Sequence, residues 1–329
     1  MLTRSSWIKI AAIAVLCLCI CTGIGSCSLG CTPLVRGCTP APGFTSWSAE
    51  SYPNAGNASI PASQVRNIDF DWLAGRIEFN IIDDTAESAV RSEAHDAGEH
   101  GSQSHEGHSE DAAASNASEI RLEESAGNRS IDDRWKLRWA LEGNTLKVAY
   151  CDSTAGLVGC SNLNGPSKTL VVSIPKSACA NLGTVSLDAF SGDYNLDGLS
   201  CQRLEIDLAS GRIDGSGTSF ESVDVEVASG TFNLNAQIAN DFQLEIASGN
   251  ADIACEDAAP RAMDVSVASG NVTLVMPPDA GVTANVDKMS GRFDFNMPDS
   301  HTYDDSFICG DGSCKLNVDM ASGNVTVKS

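Results

Sequence analysis

Apolar and polar residues alternate on both sides of a recurring Ser-Gly or Ala-Gly step. In each copy the residues five and seven positions before the glycine, and two positions after it, are apolar or aromatic. A period of two residues is typical of β-strands, because successive side chains point to opposite faces. Each copy is therefore predicted to be a strand, a corner and a second strand. The glycines of the eight copies are Gly75, Gly192, Gly211, Gly230, Gly249, Gly270, Gly291 and Gly323.

The copies recur at a nearly constant distance. From Gly192 to Gly291, successive glycines are 19, 19, 19, 21 and 21 residues apart. One copy cannot bury its own apolar face, whereas stacked copies bury a continuous core. We therefore predict an all-β fold, a β-helix-like solenoid of stacked 19–21-residue coils with Ala/Ser-Gly corners. Eight coils at ~4.8 Å per step would give a prism roughly 40 Å long. The segment after Gly323 is expected to close the last coil.

Composition divides the rest of the chain. Residues 36–64 are rich in Pro, Ser, Gly, Ala and Asn, which indicates a flexible linker. Residues 65–82 hold the first repeat strands, and residues 83–129 are acidic and nearly free of apolar side chains, which predicts a disordered insertion. Residues 130–329 form the solenoid repeat domain and begin with a predicted hairpin around Glu142-Gly143-Asn144.

Residues 1–35 are predicted to be a membrane anchor. Arg4 and Lys9 precede an uncharged stretch that is apolar at its centre, as in a secretory signal peptide. Ile24-Gly25-Ser26-Cys27 resembles a bacterial lipobox, which makes Cys27 the lipid-anchor candidate. An uncleaved transmembrane helix remains the alternative, because the uncharged run is long enough to span a bilayer. Both interpretations place the body of the protein outside the cytoplasm, in a bacterial cell envelope.

The cysteines are disulfide candidates in an exported chain. The chain has 13 Cys, of which seven follow residue 38. Cys309 and Cys314 flank Gly-Asp-Gly, which predicts a tight turn that brings the two thiols together. Cys151 and Cys160 bracket a comparable loop.

The charge of the chain bears on its partners. A formal net charge of −22 argues against a nucleic-acid partner, because phosphate contacts need clustered Lys and Arg. Four positions before the corner glycine, seven of eight copies carry an acid that alternation directs outward. Two interpretations stay open: a hydrated outer face, or a ladder of carboxylates that collects Ca²⁺. These residues are Asp71, Asp188, Asp207, Glu226, Glu245, Asp287 and Asp319.

Other candidate chemistry is sparse. His95, His100, His105 and His108 lie in the acidic insertion, where they either bind zinc-like metals loosely or belong to a solvated linker. No coil gathers acids together with a base into a catalytic cluster, so no catalytic residue and no cofactor is predicted, and the chain is not expected to be an enzyme.

Three segments of the chain resemble a known family. They are the opening Ile-Asp-Phe-Asp-Trp-Leu-Ala-Gly at 68–75, Leu-Val-Val-Ser-Ile-Pro at 170–175, and the repeated Val-Ala-Ser-Gly-Asn-Val-Thr-Leu units. These motifs resemble the bacterial putative-adhesin family, a β-strand-repeat domain of unknown function, over residues 65–82 and 133–329. The resemblance implies a β-helix-like solenoid in an envelope setting.

These observations predict a cell-surface interaction protein, adhesin-like or structural, that is tethered to the membrane by its N-terminal anchor and binds a surface protein or glycan. An envelope-stress sensing or accessory protein at the membrane is the alternative, and an extracellular glycan-acting enzyme is a third.

Overall fold

The computed structural model describes residues 52–84, 118–152, 166–303 and 306–329. Within these residues the secondary structure is almost entirely β, with one short α-helix, α1 (Lys176–Cys179). The strands before this helix are β1 (Asn54–Ala55), β2 (Ala58–Pro61), β3 (Asn67–Trp72), β4 (Gly75–Ile82), β5 (Glu119–Ser125), β6 (Arg138–Glu142), β7 (Thr145–Ala149) and β8 (Lys168–Pro175). Those after it are β9 (Thr184–Asn195), β10 (Ser200–Cys255), β11 (Ala262–Val275), β12 (Val282–Lys288), β13 (Arg292–Asn296), β14 (His301–Tyr303), β15 (Ser306–Cys309), β16 (Cys314–Met320) and β17 (Asn324–Lys328).

The strands wind into a solenoid-like stack, as the repeat predicts. In each coil one strand segment precedes the corner glycine and a second follows it. Segments before the corner stack in parallel register as a first row, and segments after it stack as a second row. The strand β10 is one extended segment that runs through three corners, at Gly211, Gly230 and Gly249. Apolar side chains of both rows form one buried cluster, because alternate residues of each strand face the interior.

The corner glycines are required by close approach of the backbone. Gly211 has a φ of +140°, and a β-carbon built on it would lie 2.2 Å from the carbonyl oxygen of Gly192 in the neighbouring coil. A side chain at this position would therefore collide with main chain that has no room to move. The same contact recurs at every predicted corner, which explains why glycine fills all eight.

These contacts also give the spatial order of the coils, which differs from their order along the chain. Gly323 packs on Gly270, and Gly291 packs on Gly323. Strand pairing agrees, because β16 lies between β11 and β12, and β17 lies between β11 and β13. The segment after Gly323 therefore does not close the end of the stack. It inserts between two coils that precede it in sequence.

At the opposite end, the stack begins one level before the first repeat. Gly75 packs on Lys168, where β7 and β8 form a coil that lacks a Ser-Gly corner. Antiparallel strands then cover both rows: β6 and β1 follow β7, while β5 and β2 follow β8. The strands β6 and β7 are the predicted hairpin around Glu142-Gly143-Asn144.

These covering strands change two predicted boundaries. Residues 52–64, expected to belong to a flexible linker, contain β1, β2 and a 3-10 turn at Ala62–Gln64. Residues 119–125, expected to be disordered, form β5 between β2 and β8. Composition could not predict these strands, because they are short and depend for their stability on pairing with the end of the solenoid. Residues 36–51 and 85–117 lie outside the described residues.

The predicted disulfide between Cys309 and Cys314 does not form. Both residues lie opposite Val282, but on opposite sides of β12, because residues 310–313 cross over the end of that strand. Two strand spacings separate them, about 10 Å, and a disulfide needs α-carbons within about 7 Å. Cys309 and Cys314 are free thiols. The partner proposed for Cys151, Cys160, lies outside the described residues.

The predicted anchor, residues 1–35 with Cys27, also lies outside the described part of the chain. Among the residues that the structure describes, no helix is both long and apolar enough to cross a membrane.

Candidate functional site

The candidate site is the outward face of the first row, where acids lie four positions before the corner glycines. Strand register brings these acids side by side, at the ~4.8 Å spacing of neighbouring strands. We call this line of side chains the acidic ladder. Along the stack, Asp71 lies beside Asp188, and Asp188 lies beside Asp207. Glu226 follows between Asp207 and Glu245. Ser266 then lies between Glu245 and Asp319, and Asp319 lies beside Asp287.

The acidic ladder is not uniformly exposed. Asp71 is only 7% exposed, because Tyr52 lies over it. The Tyr52 hydroxyl donates a hydrogen bond to Asp71 Oδ2 over 3.0 Å. Asp188 and Glu226 are half-buried, and Asp207 is exposed. The segment just before β1 therefore covers one end of the ladder and leaves the middle open to a ligand.

A second line of polar side chains lies beside the ladder, two residues earlier in each strand, and half of its eight members are acids. It includes Glu205 and Asp224, and the Arg203 guanidinium forms ion pairs with both of them, at 3.2 Å for Asp224. Nearby, the Lys147 ammonium lies 2.8 Å from Glu142 Oε2. These few cations offset only part of the negative charge on this face.

Crowding of the carboxylates changes their protonation. Burial, together with the charges of Asp207 and Asp71, raises the pKa of Asp188 to about 7. Burial and the charges of Asp207 and Glu245 raise the pKa of Glu226 to about 7 as well. Burial raises the pKa of Asp71 to about 6, although its hydrogen bond from Tyr52 acts in the opposite direction. The middle of the ladder therefore holds protons close to neutral pH, which relieves part of the repulsion between neighbouring strands.

The geometry does not favour the suggested calcium site. In the described part of the chain, no group of three or more His, Cys, Asp or Glu side chains converges to hold a metal ion. A ladder spreads its carboxylates along a line, whereas Ca²⁺ needs about six to eight oxygens around one point. The four histidines of the acidic insertion, at 95, 100, 105 and 108, lie outside the described residues.

A buried ion pair between Lys168 and Glu124, which the sequence analysis did not predict, lies in the core beside β7 and β8. The Lys168 side chain is fully buried, and its Nζ donates to Glu124 Oε2 over 3.0 Å and to the carbonyl oxygens of Trp135 and Tyr150. Its ammonium also lies 4.1 Å from the centre of the Tyr150 ring. Burial lowers the pKa of Lys168, and the nearby Glu124 carboxylate opposes that shift.

Every donor of this ammonium has a partner, so the arrangement is structural. Sequence reasoning missed the pair because Glu124 lies in the segment that was predicted to be disordered. The alternation of Ile120 and Leu122 with polar residues is the signal that could have revealed the strand.

The comparison with solved structures finds two similar chains. One is the crystal structure of a putative cell adhesion protein from Clostridium sporogenes, with 9% identity, coverage of 84% of this chain and 99% of that chain, and a TM-score of 0.36. The other is a putative adhesin from Bacteroides fragilis, with 11% identity, coverage of 83% and 97%, and a TM-score of 0.30. These low scores carry no argument about function.

No curated protein matches the chain. A family profile does. The Toastrack DUF4097 profile matches residues 111–328, which is about two thirds of the sequence and contains seven of the eight corner glycines. The match agrees with the resemblance that the repeated Ser-Gly units indicate, and the chain belongs to the Toastrack DUF4097 family, whose function is unknown.

Proposed function

We propose that this chain is an extracytoplasmic binding protein, anchored in a bacterial cell envelope, that presents the acidic ladder to a surface protein or glycan. In this role the solenoid is an adhesin-like or structural scaffold and carries out no catalysis. The predicted anchor at residues 1–35, with Cys27 as its lipid-acceptor candidate, would hold the solenoid at the membrane.

The observation that carries this proposal is the shape and charge of the first row. Parallel stacking gives a broad, regular face, and its carboxylates repeat at the spacing of neighbouring strands. A face of this kind suits an extended partner with repeated cations or hydroxyls, because each coil can offer one similar contact. Repeated weak contacts add up when they act on one connected ligand.

A binding assay with matched variants tests the proposal. The full chain is immobilised and exposed to an extract of bacterial envelopes, and the bound proteins and glycans are quantified. The ladder variant carries Asp188→Asn, Asp207→Asn and Glu226→Gln. The control variant makes the same number of carboxyl-to-amide changes at exposed acids outside the ladder, with Asp193→Asn, Glu221→Gln and Asp252→Asn.

We expect the ladder variant to lose capture by about tenfold or more, and the control to retain it. Equal capture by both variants would contradict a role for the ladder in binding. Recovery of integral membrane proteins alone would favour the alternative, an accessory protein that acts in the plane of the membrane.

A further inference from the structure

The end of the solenoid formed by the Gly291 coil has an unpaired strand. Within the described residues, β13 pairs only with β17, on one of its two sides. The other edge strands are poorer templates for pairing: β1 has two residues, β14 has three, and β2 ends at Pro61. In contrast, β13 has five residues and no proline. Such an edge is open to pairing with another strand.

The hydrogen bonds to β17 show which groups of β13 are available. The Arg292 amide donates to the carbonyl oxygen of Gly323 over 2.9 Å. Because backbone groups alternate in direction along a strand, Arg292, Asp294 and Asn296 turn their amides and carbonyls towards β17. Phe293 and Phe295 turn theirs towards the free edge.

Apolar groups are also concentrated at this end. Met289, Tyr303 and Ile308 are the exposed large hydrophobic residues of the described chain, at 54%, 75% and 38% exposure. The rings of Phe293 and Phe295 are half-buried, and both contact Phe307 of β15, with ring centres 5.1 and 5.6 Å away. The free edge therefore lies beside an apolar surface, as at many protein interfaces.

We propose that β13 pairs antiparallel with β13 of a second copy of this chain, about a two-fold axis at Phe293. The two-fold axis of such a pair can pass through Phe293, Asp294 or Phe295. An axis at Phe295 would place Asp294 opposite Asn296 and leave Arg292 outside the paired stretch, so it would form no ion pair. An axis at Asp294 would place that carboxylate opposite its own copy, which is unfavourable. An axis at Phe293 places Arg292 opposite the second copy's Asp294, and the two-fold symmetry repeats this pair.

The backbone geometry is compatible with this register. With the axis at Phe293, the two Phe293 residues exchange both of their hydrogen bonds, because their amides and carbonyls face the free edge. Arg292 and the second copy's Asp294 then occupy a non-hydrogen-bonded pair, where side chains across two strands are closest. The Arg292 side chain is 74% exposed and forms an ion pair with Asp294 of its own chain at 2.7 Å. Its guanidinium is therefore accessible on the strand face where the second copy's Asp294 would lie.

A charge-swap experiment tests this pairing. The full chain in a nonionic detergent is studied by analytical ultracentrifugation, with a reducing agent that prevents intermolecular disulfides. Moderate salt, about 0.15 M, limits the repulsion between the two acidic molecules to a Debye length of about 8 Å. Two single variants, Arg292→Asp and Asp294→Arg, are compared with the wild type, with their 1:1 mixture, and with the double variant that carries both changes.

The wild type is expected to dimerise. Each single variant should weaken the dimer by about tenfold or more, since it places like charges opposite each other twice. The mixture and the double variant should both restore it, because every Asp at these two positions then faces an Arg of the other copy. A wild type that is monomeric at every concentration would overturn the proposal, and so would a mixture that fails to recover.

Hydrogen exchange gives a second measurement that does not depend on the variants. The Phe293 amide should exchange more slowly as the protein concentration rises. The Asp294 amide, which faces β17, serves as an internal control and should be protected at all concentrations. Concentration-independent exchange at Phe293 would contradict the pairing. Self-association through β13 does not depend on the proposed ligand-binding role of the ladder.

Discussion

At the residue scale, each corner depends on the absence of a β-carbon. Gly211 and its equivalents lie so close to the neighbouring coil that even a methyl group would meet a carbonyl oxygen. The cost combines two effects. The backbone has a positive φ that L-residues avoid, and the added carbon has no space. Where a glycine has a positive φ but open space around it, substitution by alanine introduces only the backbone strain.

Gly211→Ala and Gly217→Ala separate these effects. Gly217 also has a positive φ, +59°, but nothing lies within 4 Å of a β-carbon built there. We expect Gly217→Ala to lower the free energy of unfolding by about 1–2 kcal/mol. Gly211→Ala should lower it by a further 1–3 kcal/mol or so, the usual cost of overpacking. Urea denaturation followed by circular dichroism measures both, and equal losses would show that coil contact is unimportant.

Residue types alone predicted the positions of all eight corners, but only some properties of the acidic ladder. A glycine that recurs with alternating apolar neighbours has few other interpretations, so the eight corners were predictable. The outward direction of the acids also followed from alternation. The covering of Asp71 by Tyr52 could not be predicted in this way. Tyr52 lies in a short segment, and its contact with Asp71 depends on the tertiary structure and not on any local sequence pattern.

At the scale of the element, neighbouring strands affect each other's protonation in addition to forming hydrogen bonds. Asp188 and Glu226 belong to segments that carry other ladder acids on either side, and both have a pKa near 7. A carboxyl group whose pKa is higher in the folded state than in the unfolded state binds its proton more tightly when folded. Protonation of these groups therefore stabilises the stacked strands.

This linkage predicts that the protein becomes more stable as the pH falls from 8 to 5. The stabilisation grows as Asp188 and Glu226 take up protons near pH 7, and Asp71 adds to it near pH 6. It is complete below the ordinary carboxyl range of about 4 and is lost as the pH rises through 7.

Chemical denaturation at several pH values between 5 and 8 measures this trend. The variant with Asp188→Asn and Glu226→Gln should show a flatter dependence, because its amides do not titrate. A variant with Asp193→Asn and Asp252→Asn is the matched control and should keep the slope of the wild type. If stability is constant over this range in the wild type, the ladder does not hold protons as described.

At the scale of the whole molecule, the main departure from the sequence pattern is the order of the coils. The repeat predicts that coils stack, but every corner has the same small residues, so the pattern does not say which coil neighbours which. The coil at Gly323 lies between those at Gly270 and Gly291. Asparagine side chains follow the same order, since Asn271 accepts a hydrogen bond from Asn324 over 2.8 Å.

Pairs of introduced cysteines can test this order. Thr326 lies directly beside Thr273 on one side and beside Asp294 on the other. We expect Thr273→Cys with Thr326→Cys to form a disulfide under mild oxidation, because neighbouring strands bring their α-carbons within about 7 Å. Thr273→Cys with Asp294→Cys should not, because a strand separates the two positions. Peptide mapping by mass spectrometry distinguishes the new bond from any formed by the native thiols. The reverse result would mean that the coils stack in chain order.

The inserted coil also has a consequence for how the molecule is made. A solenoid whose coils stack in chain order can add one coil at a time as the polypeptide is synthesised. Here the coil of β12 and β13 has no final neighbour until residues 314–328 arrive between it and β11. The ribosome needs about 2–6 s to add the intervening stretch from 297 to 328, at ~5–20 residues per second. During that interval the apolar side chains of residues 282–296 lack their native neighbours β16 and β17, so this end of the fold cannot form coil by coil in chain order.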